Sequence, residues 1–486
     1  MFNRKEDGLA LAKKLHQKDV SPQELIETAF KKIEAQNPIL NAVTHTRKEK
    51  ALKEAAERDF SSTLFGGQPI LIKGIGQDQI DEPSTSGSRL LQNNRSKQTS
   101  HFVRALEKAG FVVIGQTNTP EFAFKNITDP TLYGPSRNPW NTAYSPGGSS
   151  GGAAASVVAD LVPIASASDG GGSIRIPASF TGLVGLKPTR GRTPIGPGVG
   201  RGWQGASISF ALTKTIRDTA AMMDALQTVQ QSAAFQTPLF ERGYLNALAD
   251  SEPKKFRVAY SLVSPVHGPV SDEAKAAVLK TVRWLEQNGH QVVEEKPAID
   301  GVSLMESYYI MNSGETAAMF ANIEKGLQRP VTKSDMELMT WVLFNAGQSI
   351  SASTYSNSIA AWDTAAEVMA DFHQTYDLYL TPATADVAPR VDAKLQTDEQ
   401  FERMHHVTEM NAKDQQKIVW DMFAASLDIT PFTQQANLTG QPAISLPVHL
   451  SANSGLPIGV QFTAPKGNED WLLAIGQEME QDGLFT

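Results

Sequence analysis

Two short apolar runs constrain this chain most. Residues 69–73 (Pro-Ile-Leu-Ile-Lys) and 111–115 (Phe-Val-Val-Ile-Gly) are each five residues long, with glycine at or near both ends. Runs of that length without polar alternation read as strands covered on both faces. Between them, residues 101–109 carry a helical pattern. Strand, helix and strand in that order predict an α/β sheet with parallel neighbours.

The ends of the chain follow the same logic. Ser21-Pro22-Gln23-Glu24 is a capping box with proline at the first helical position, and Leu25, Ala29 and Ile33 follow on one face, so the first sixty residues read as helices. Residues 442–448 and 459–462 read as strands and 471–479 as a closing helix. The stretch from 228 to about 410 holds longer polar helices and two strand candidates, 257–260 and 378–380. No internal repeat or sustained heptad is present.

Composition narrows the function classes. Lys plus Arg number 44 against 52 Asp plus Glu, a net charge of -8 that repels phosphate backbones, so nucleic acid is a poor partner. With no cysteine there are no disulfides and no thiolate ligands, and covalent catalysis needs another side chain. The polar start, residues 1–15, is unlike a secretory leader, and no apolar run of membrane-spanning length occurs, so a cytoplasmic protein without a membrane partner is expected. The adjacent His405 and His406 cannot share a helix face and lack the spacing of a metal motif, so neither metal nor cofactor is expected.

Chemistry concentrates in two glycine-serine loops, 145–152 and 169–173, which bracket an apolar helix candidate (153–161) and a strand candidate (162–165). Gly170-Gly171-Gly172-Ser173 places a hydroxyl after three residues able to adopt positive φ, so successive N–H groups can converge on one point, as a developing oxyanion requires. A serine attacks only once a base has taken its proton, and none of the nine histidines sits in a motif that marks it as that base. The second loop, Gly147-Gly148-Ser149-Ser150-Gly151-Gly152, offers a relay through Ser149 to a buried amine, for which Lys73 at the end of an apolar run is the candidate. Burial favours the neutral amine, the form able to act as a base.

Residues 145–152, then Ser168-Asp169-Gly170-Gly171-Gly172-Ser173-Ile174-Arg175-Ile176-Pro177 and Gly182-Leu183-Val184-Gly185-Leu186-Lys187-Pro188-Thr189, resemble the signature of the amidase signature family, as does the serine separation 173 − 149 = 24. The likeness extends to Lys73, residues 115–121 and residues 437–444, and is weakest between about 228 and 410. It implies a single domain over 1–486, with a signature core at about 66–227, a variable helical elaboration at about 228–410, and a central mixed sheet with helices on both faces. It further implies Lys73 as base, Ser149 on a cis peptide as shuttle and Ser173 as nucleophile. The N–H groups of Gly170, Gly171, Gly172 and Ser173 would form the oxyanion hole, with Ser168, Asp169 and Arg175 supporting the loop or the substrate. The expected reaction is hydrolysis of a small-molecule amide through an acyl-enzyme, without cofactor. Where the family usually has aspartate after the lysine, this chain has Gly74-Ile75-Gly76 and its first acid is Asp78, which leaves the packing around the base open. Arg329-Pro330-Val331-Thr332 with Asp335, Glu337 and Trp341, and Arg190-Gly191-Arg192 before the glycine-rich 196–205, are similar to the 6-aminohexanoate cyclic dimer hydrolase branch.

Blander readings stand beside these. A lone glycine-serine loop is more often a turn or an anion site, and a lysine ending a strand is usually solvated. Asp169 and Arg175 form a structural ion pair on one reading and contact substrate on the other. Trp341, Tyr308 and Tyr309 read as core. Two rival functions share the same loops: the glutamine-hydrolysing subunit of a tRNA-dependent amidotransferase, and a non-catalytic anion-binding protein.

Overall fold

The structure, a computed structural model, describes residues 4–250 and 254–486; the first three residues of the polar start, and 251–253 within the 228–410 segment, lie outside the described residues. Eleven strands make one mixed sheet: β1 Val43–Thr46, β2 Pro69–Lys73, β3 Val112–Thr117, β4 Ala165–Asp169, β5 Val184–Lys187, β6 Ile208–Thr213, β7 Arg257–Tyr260, β8 Gln291–Glu294, β9 Leu378–Pro382, β10 Ala443–Leu450 and β11 Pro457–Thr463. They are ordered β1-β3-β2-β4-β6-β5-β10-β11-β9-β7-β8. β2 runs parallel to β3 and β4, as does β7 to β8 and β9, while the strands between β4 and β9 alternate in direction.

Alternation along β11 shows why helices cover both faces. Ile458, Val460 and Phe462 belong to the main apolar core with Ala274, Ala277 and Val278 of the helix Asp272–Gln287. Gly459 and Gln461 point the other way, against the helix Arg175–Thr181: a Cβ on Gly459 would stand 3.2 Å from Ser179 Cα, and Gln461 bonds Arg175. Side chains one residue apart on a strand face opposite layers.

The helix Pro22–Leu40 begins at Ser21 with its capping box intact, but its buried stripe is Ile26, Ala29, Phe30 and Ile33, with Leu25 only half-buried. The N-terminal region is not wholly helical, because Val43–Thr46 crosses the edge of β3 as an antiparallel strand. The helix expected at 153–161 is Gly151–Val158, and the strand expected at 162–165 is β4, three residues later. The 228–410 segment, expected to hold two strands, contributes β7, β8 and β9; β8 is polar and mostly exposed at the sheet edge, so it carries no apolar signal. Among the described residues no helix is long and apolar enough to cross a membrane.

The β1–β3 crossing tolerates no side chain at Gly115, where a Cβ would lie 2.1 Å from the carbonyl oxygen of His45. We expect Gly115→Ala to cost about 1–3 kcal/mol, read as a lower denaturant midpoint at unchanged slope. Gly326→Ala, with nothing within 4 Å of the new methyl, should instead raise the midpoint slightly.

Candidate functional site

Parallel neighbours bring their carboxyl ends to the same sheet edge, and β2 ends in Lys73 beside Ser168 and Asp169 at the end of β4. Lys73 is 1% exposed. Its Nζ donates to Ser149 Oγ (2.7 Å), to Ser168 Oγ (2.9 Å) and to the Ser168 carbonyl (3.4 Å). Burial pushes the ammonium down from its ordinary value to about 7, against an opposing pull from Asp169. Gln77 follows the glycine-rich turn after the lysine: its Oε1 accepts from the Lys73 backbone N–H and the Ser166 hydroxyl, and its Nε2 donates to the Ala167 carbonyl at 2.8 Å.

Ser149 is buried and follows a cis Gly148–Ser149 peptide. Gly148 lies so close to Ile127 that a Cβ would meet its backbone at 2.7 Å. The helix Gly151–Val158 starts directly afterwards, and Thr128 Oγ1 donates to the Gly147 carbonyl (2.9 Å) and accepts from the Gly151 N–H (3.1 Å), clamping the loop.

Ser173 is half-buried in the turn between β4 and the helix Arg175–Thr181. The N–H groups on either side of it, of Gly172 and Ile174, both donate to the Asp169 carboxylate, at 2.7 and 3.2 Å. This corrects one expectation: the Gly172 N–H is consumed by Asp169 and the residue stands behind the cavity wall, whereas Gly170, Gly171 and Ser173 line the cavity. Gly172 is still required as glycine, since it sits at φ +133° with Thr433 Oγ1 2.2 Å from where a Cβ would be.

Asp169 and Arg175 are both fully buried and bonded side-on through one guanidinium edge, Nε to Oδ2 and Nη2 to Oδ1, each 3.0 Å. The remaining Arg175 donors reach the Thr433 carbonyl (2.7 Å), Gln461 Oε1 (2.7 Å) and Asn437 Oδ1 (2.6 Å), which uses all five. Burial alone would raise the Asp169 carboxyl, but Arg175, then Asn437 and the more distant Lys187, hold it down to about 2. Neither residue lines the cavity. Thr433, Gln461 and Gln77 escaped sequence reasoning. For Gln461 a signal existed, a polar residue at an inward position of an otherwise apolar strand.

Ser149, Ser168 and Ser173 open onto a cavity of about 350 Å³. Much of its wall is aromatic: Phe124 stacks on Trp203 (ring centroids 5.9 Å apart), Trp203 meets Tyr308 edge-on (6.2 Å) and Tyr309 stacks on Phe423 (5.1 Å). Tyr308 and Tyr309 therefore line the cavity as well as packing in the core, while Trp341 only packs. Burial holds both phenols above their ordinary range, so they act as neutral groups. Gln434 also faces the cavity with Oε1 buried and without a hydrogen-bond partner among the described residues. Arg190 lines the cavity too, with its Nε and Nη2 donors on the carbonyls of Gly205, Asn437 and Leu438, while Arg192 pairs with Glu469 away from it. Arg329 and Asp335 form an exposed pair, and Glu337 accepts from Lys125 (2.9 Å). Among the described residues no group of three or more His, Asp or Glu is placed to hold a metal ion.

Residues 24–473 match the family model described as Amidase. The chain is 41% identical to a lipoamidase of Enterococcus faecalis across 98% of its own length, spanning 63% of that longer protein. It is 31% identical to a 6-aminohexanoate-cyclic-dimer hydrolase of Paenarthrobacter ureafaciens, covering 98% of this chain and 94% of the relative. The solved structure of a 6-aminohexanoate cyclic dimer hydrolase with its substrate superposes with a TM-score of 0.87 at 29% identity, over 99% of this chain and 97% of that one. The chain thus belongs to the amidase signature family of amide hydrolases.

Proposed function

We propose that the chain hydrolyses a small carboxamide through an acyl-enzyme on Ser173, with Ser149 as proton shuttle and Lys73 as base. The observation that carries this is a lysine 1% exposed, without a carboxylate partner of its own, held 2.7 Å from Ser149, which shares a cavity wall with Ser173. A neutral Lys73 takes the Ser149 proton while Ser149 takes that of Ser173, whose Oγ attacks the substrate carbonyl carbon. The N–H groups of Gly170, Gly171 and Ser173 stabilise the oxyanion. The proton returns along the same row to the departing amine. Water, deprotonated by the same relay, then releases the acid. The aromatic walls fit an amide with an aliphatic arm, in keeping with the lipoyl and aminohexanoyl compounds that name two relatives. The reading places the enzyme in the cytoplasm and needs no nucleic acid, membrane or cofactor.

Ser173→Ala should abolish turnover, and Lys73→Ala and Ser149→Ala should reduce kcat/KM about 10²–10⁴-fold, measured by released amine over a panel of aliphatic, aryl and cyclic amides plus glutamine. A fluorophosphonate should add to Ser173, seen by intact mass; an unmodified protein would favour mere anion binding. Exclusive hydrolysis of glutamine, together with co-elution with partner subunits on gel filtration, would point instead to the amidotransferase subunit.

The pH profile has a definite sign. Lys73 accepts a proton only when neutral, so kcat/KM should rise tenfold per pH unit up to about 7 and level off above it. Lys73→Ala should remove that limb, and a limb surviving the substitution would overturn the base assignment.

A further inference from the structure

The helix Gly301–Leu327 carries Tyr308, Asn312, Glu315 and Met319, spaced by four, three and four residues and hence on one face. This stripe starts beside the oxyanion loop: a Cβ on Gly171 would meet the Tyr308 hydroxyl at 2.7 Å. It passes Asn312, still on the wall of the serine-bearing cavity, and reaches Glu315 and Met319 on a second cavity of about 820 Å³. The two cavities adjoin, sharing the stacked rings of Phe124 and Trp203 in their walls.

Glu315 is held firmly without being neutralised. Its Oε1 accepts from Gln204 Nε2 (2.8 Å) and from the Tyr355 hydroxyl, both uncharged donors, and no ion pair with it forms among the described residues. Gln204 and its neighbour Trp203 sit at φ 54° and 51°, a region that residues with side chains rarely adopt, and the bond to Glu315 ties this turn to the helix. A fixed carboxylate without a charged partner, facing a cavity, is built to receive a cation.

We infer that Glu315 recognises an ammonium group at the far end of one arm of the substrate. This rests on the amide-hydrolase reading above and names the substrate class. Seven residues of helix from Tyr308 to Glu315 rise about 10 Å. Less a contact of about 2.8 Å, that spans an extended arm of about seven bonds. The faces of Phe124 and Trp203 along the way suit both a methylene chain and a passing cation. Arg201 shares this cavity but is exposed, over the Phe235 ring at 5.8 Å, where solvent and salt screen its charge.

The test compares kcat/KM of the full chain in two series. One is hexanoyl, 6-aminohexanoyl and adipoyl p-nitroanilide; the other is acetamides of pentylamine, 1,5-diaminopentane and 5-aminopentanoate. In one of the two series the ammonium compound should exceed the neutral one at least tenfold, through KM. Glu315→Gln should bring that ratio within twofold of one, and Glu315→Lys should turn the preference toward the carboxylate compound. Such ratios do not depend on how much enzyme is folded. Ratios near one in both wild-type series, a wild-type preference for the carboxylate, or an ammonium preference that survives Glu315→Gln overturns the inference while leaving the hydrolase reading intact. No turnover of any of these amides overturns that reading and this inference together.

Discussion

Everything at this site hangs on one buried ion pair. Asp169 is the last residue of a strand and Arg175 the first of a helix, and the turn joining them carries the nucleophile candidate. Burying a carboxylate and a guanidinium costs several kcal/mol each unless every donor and acceptor is engaged. Here all five Arg175 donors are used, and the carboxylate also accepts two backbone N–H groups and the Asn437 amide. The pair therefore does more than join strand to helix. It bends the turn by drawing in the N–H groups on either side of Ser173, and it docks segment 433–437 and β11 through Thr433, Asn437 and Gln461. Removing either charge would leave the other buried and unpaired, so both must be present for the turn to hold its shape.

Two buried lysines show how the same desolvation serves different ends. Lys187 is 1% exposed like Lys73, and burial lowers it well below its ordinary value, with neighbouring Arg175 adding repulsion. Its Nζ donates to the carbonyl of Pro188 at 2.8 Å, and it does not line the cavity, so its amine ends in a backbone contact. Lys73 donates instead to two hydroxyls, Ser149 and Ser168, both of which face the cavity. Burial makes an amine available as a base; only a neighbouring hydroxyl on a cavity makes that availability chemical.

What could be read in the sequence follows the range of the forces involved. β2 and β7 were legible to the residue because short apolar runs bounded by breakers have one cheap solution, and the Ser21 cap because it is a local hydrogen-bond pattern. The resemblance set Lys73 beside Ser149, where nothing local says which strand end a lysine will meet, but it gave Ser168, the second hydroxyl on the amine, only a supporting part. Hidden were features set by distant contacts: β1, paired at a sheet edge; the loss of the Gly172 N–H to a carboxylate three residues earlier; and the cavity role of Tyr308 and Tyr309, whose burial looks like core from any single element. A side chain that both packs and lines a cavity has no distinct signature in one dimension.

The Gly74-Ile75-Gly76 departure shows how such a site tolerates change. An aspartate in place of Gly74 would set its Cβ 2.9 Å from the Thr117 carbonyl oxygen and add a negative charge at the end of β2. Gln77 supplies an acceptor to the Lys73 N–H and a donor to the Ala167 carbonyl, joining the carboxyl ends of β2 and β4 without that charge. What remains to stabilise the protonated amine is Asp169, whose charge is already shared among Arg175 and Asn437. The strands are thus joined by neutral hydrogen bonds, and the electrostatics of Lys73 are left largely to burial, which is the condition the proposed relay requires.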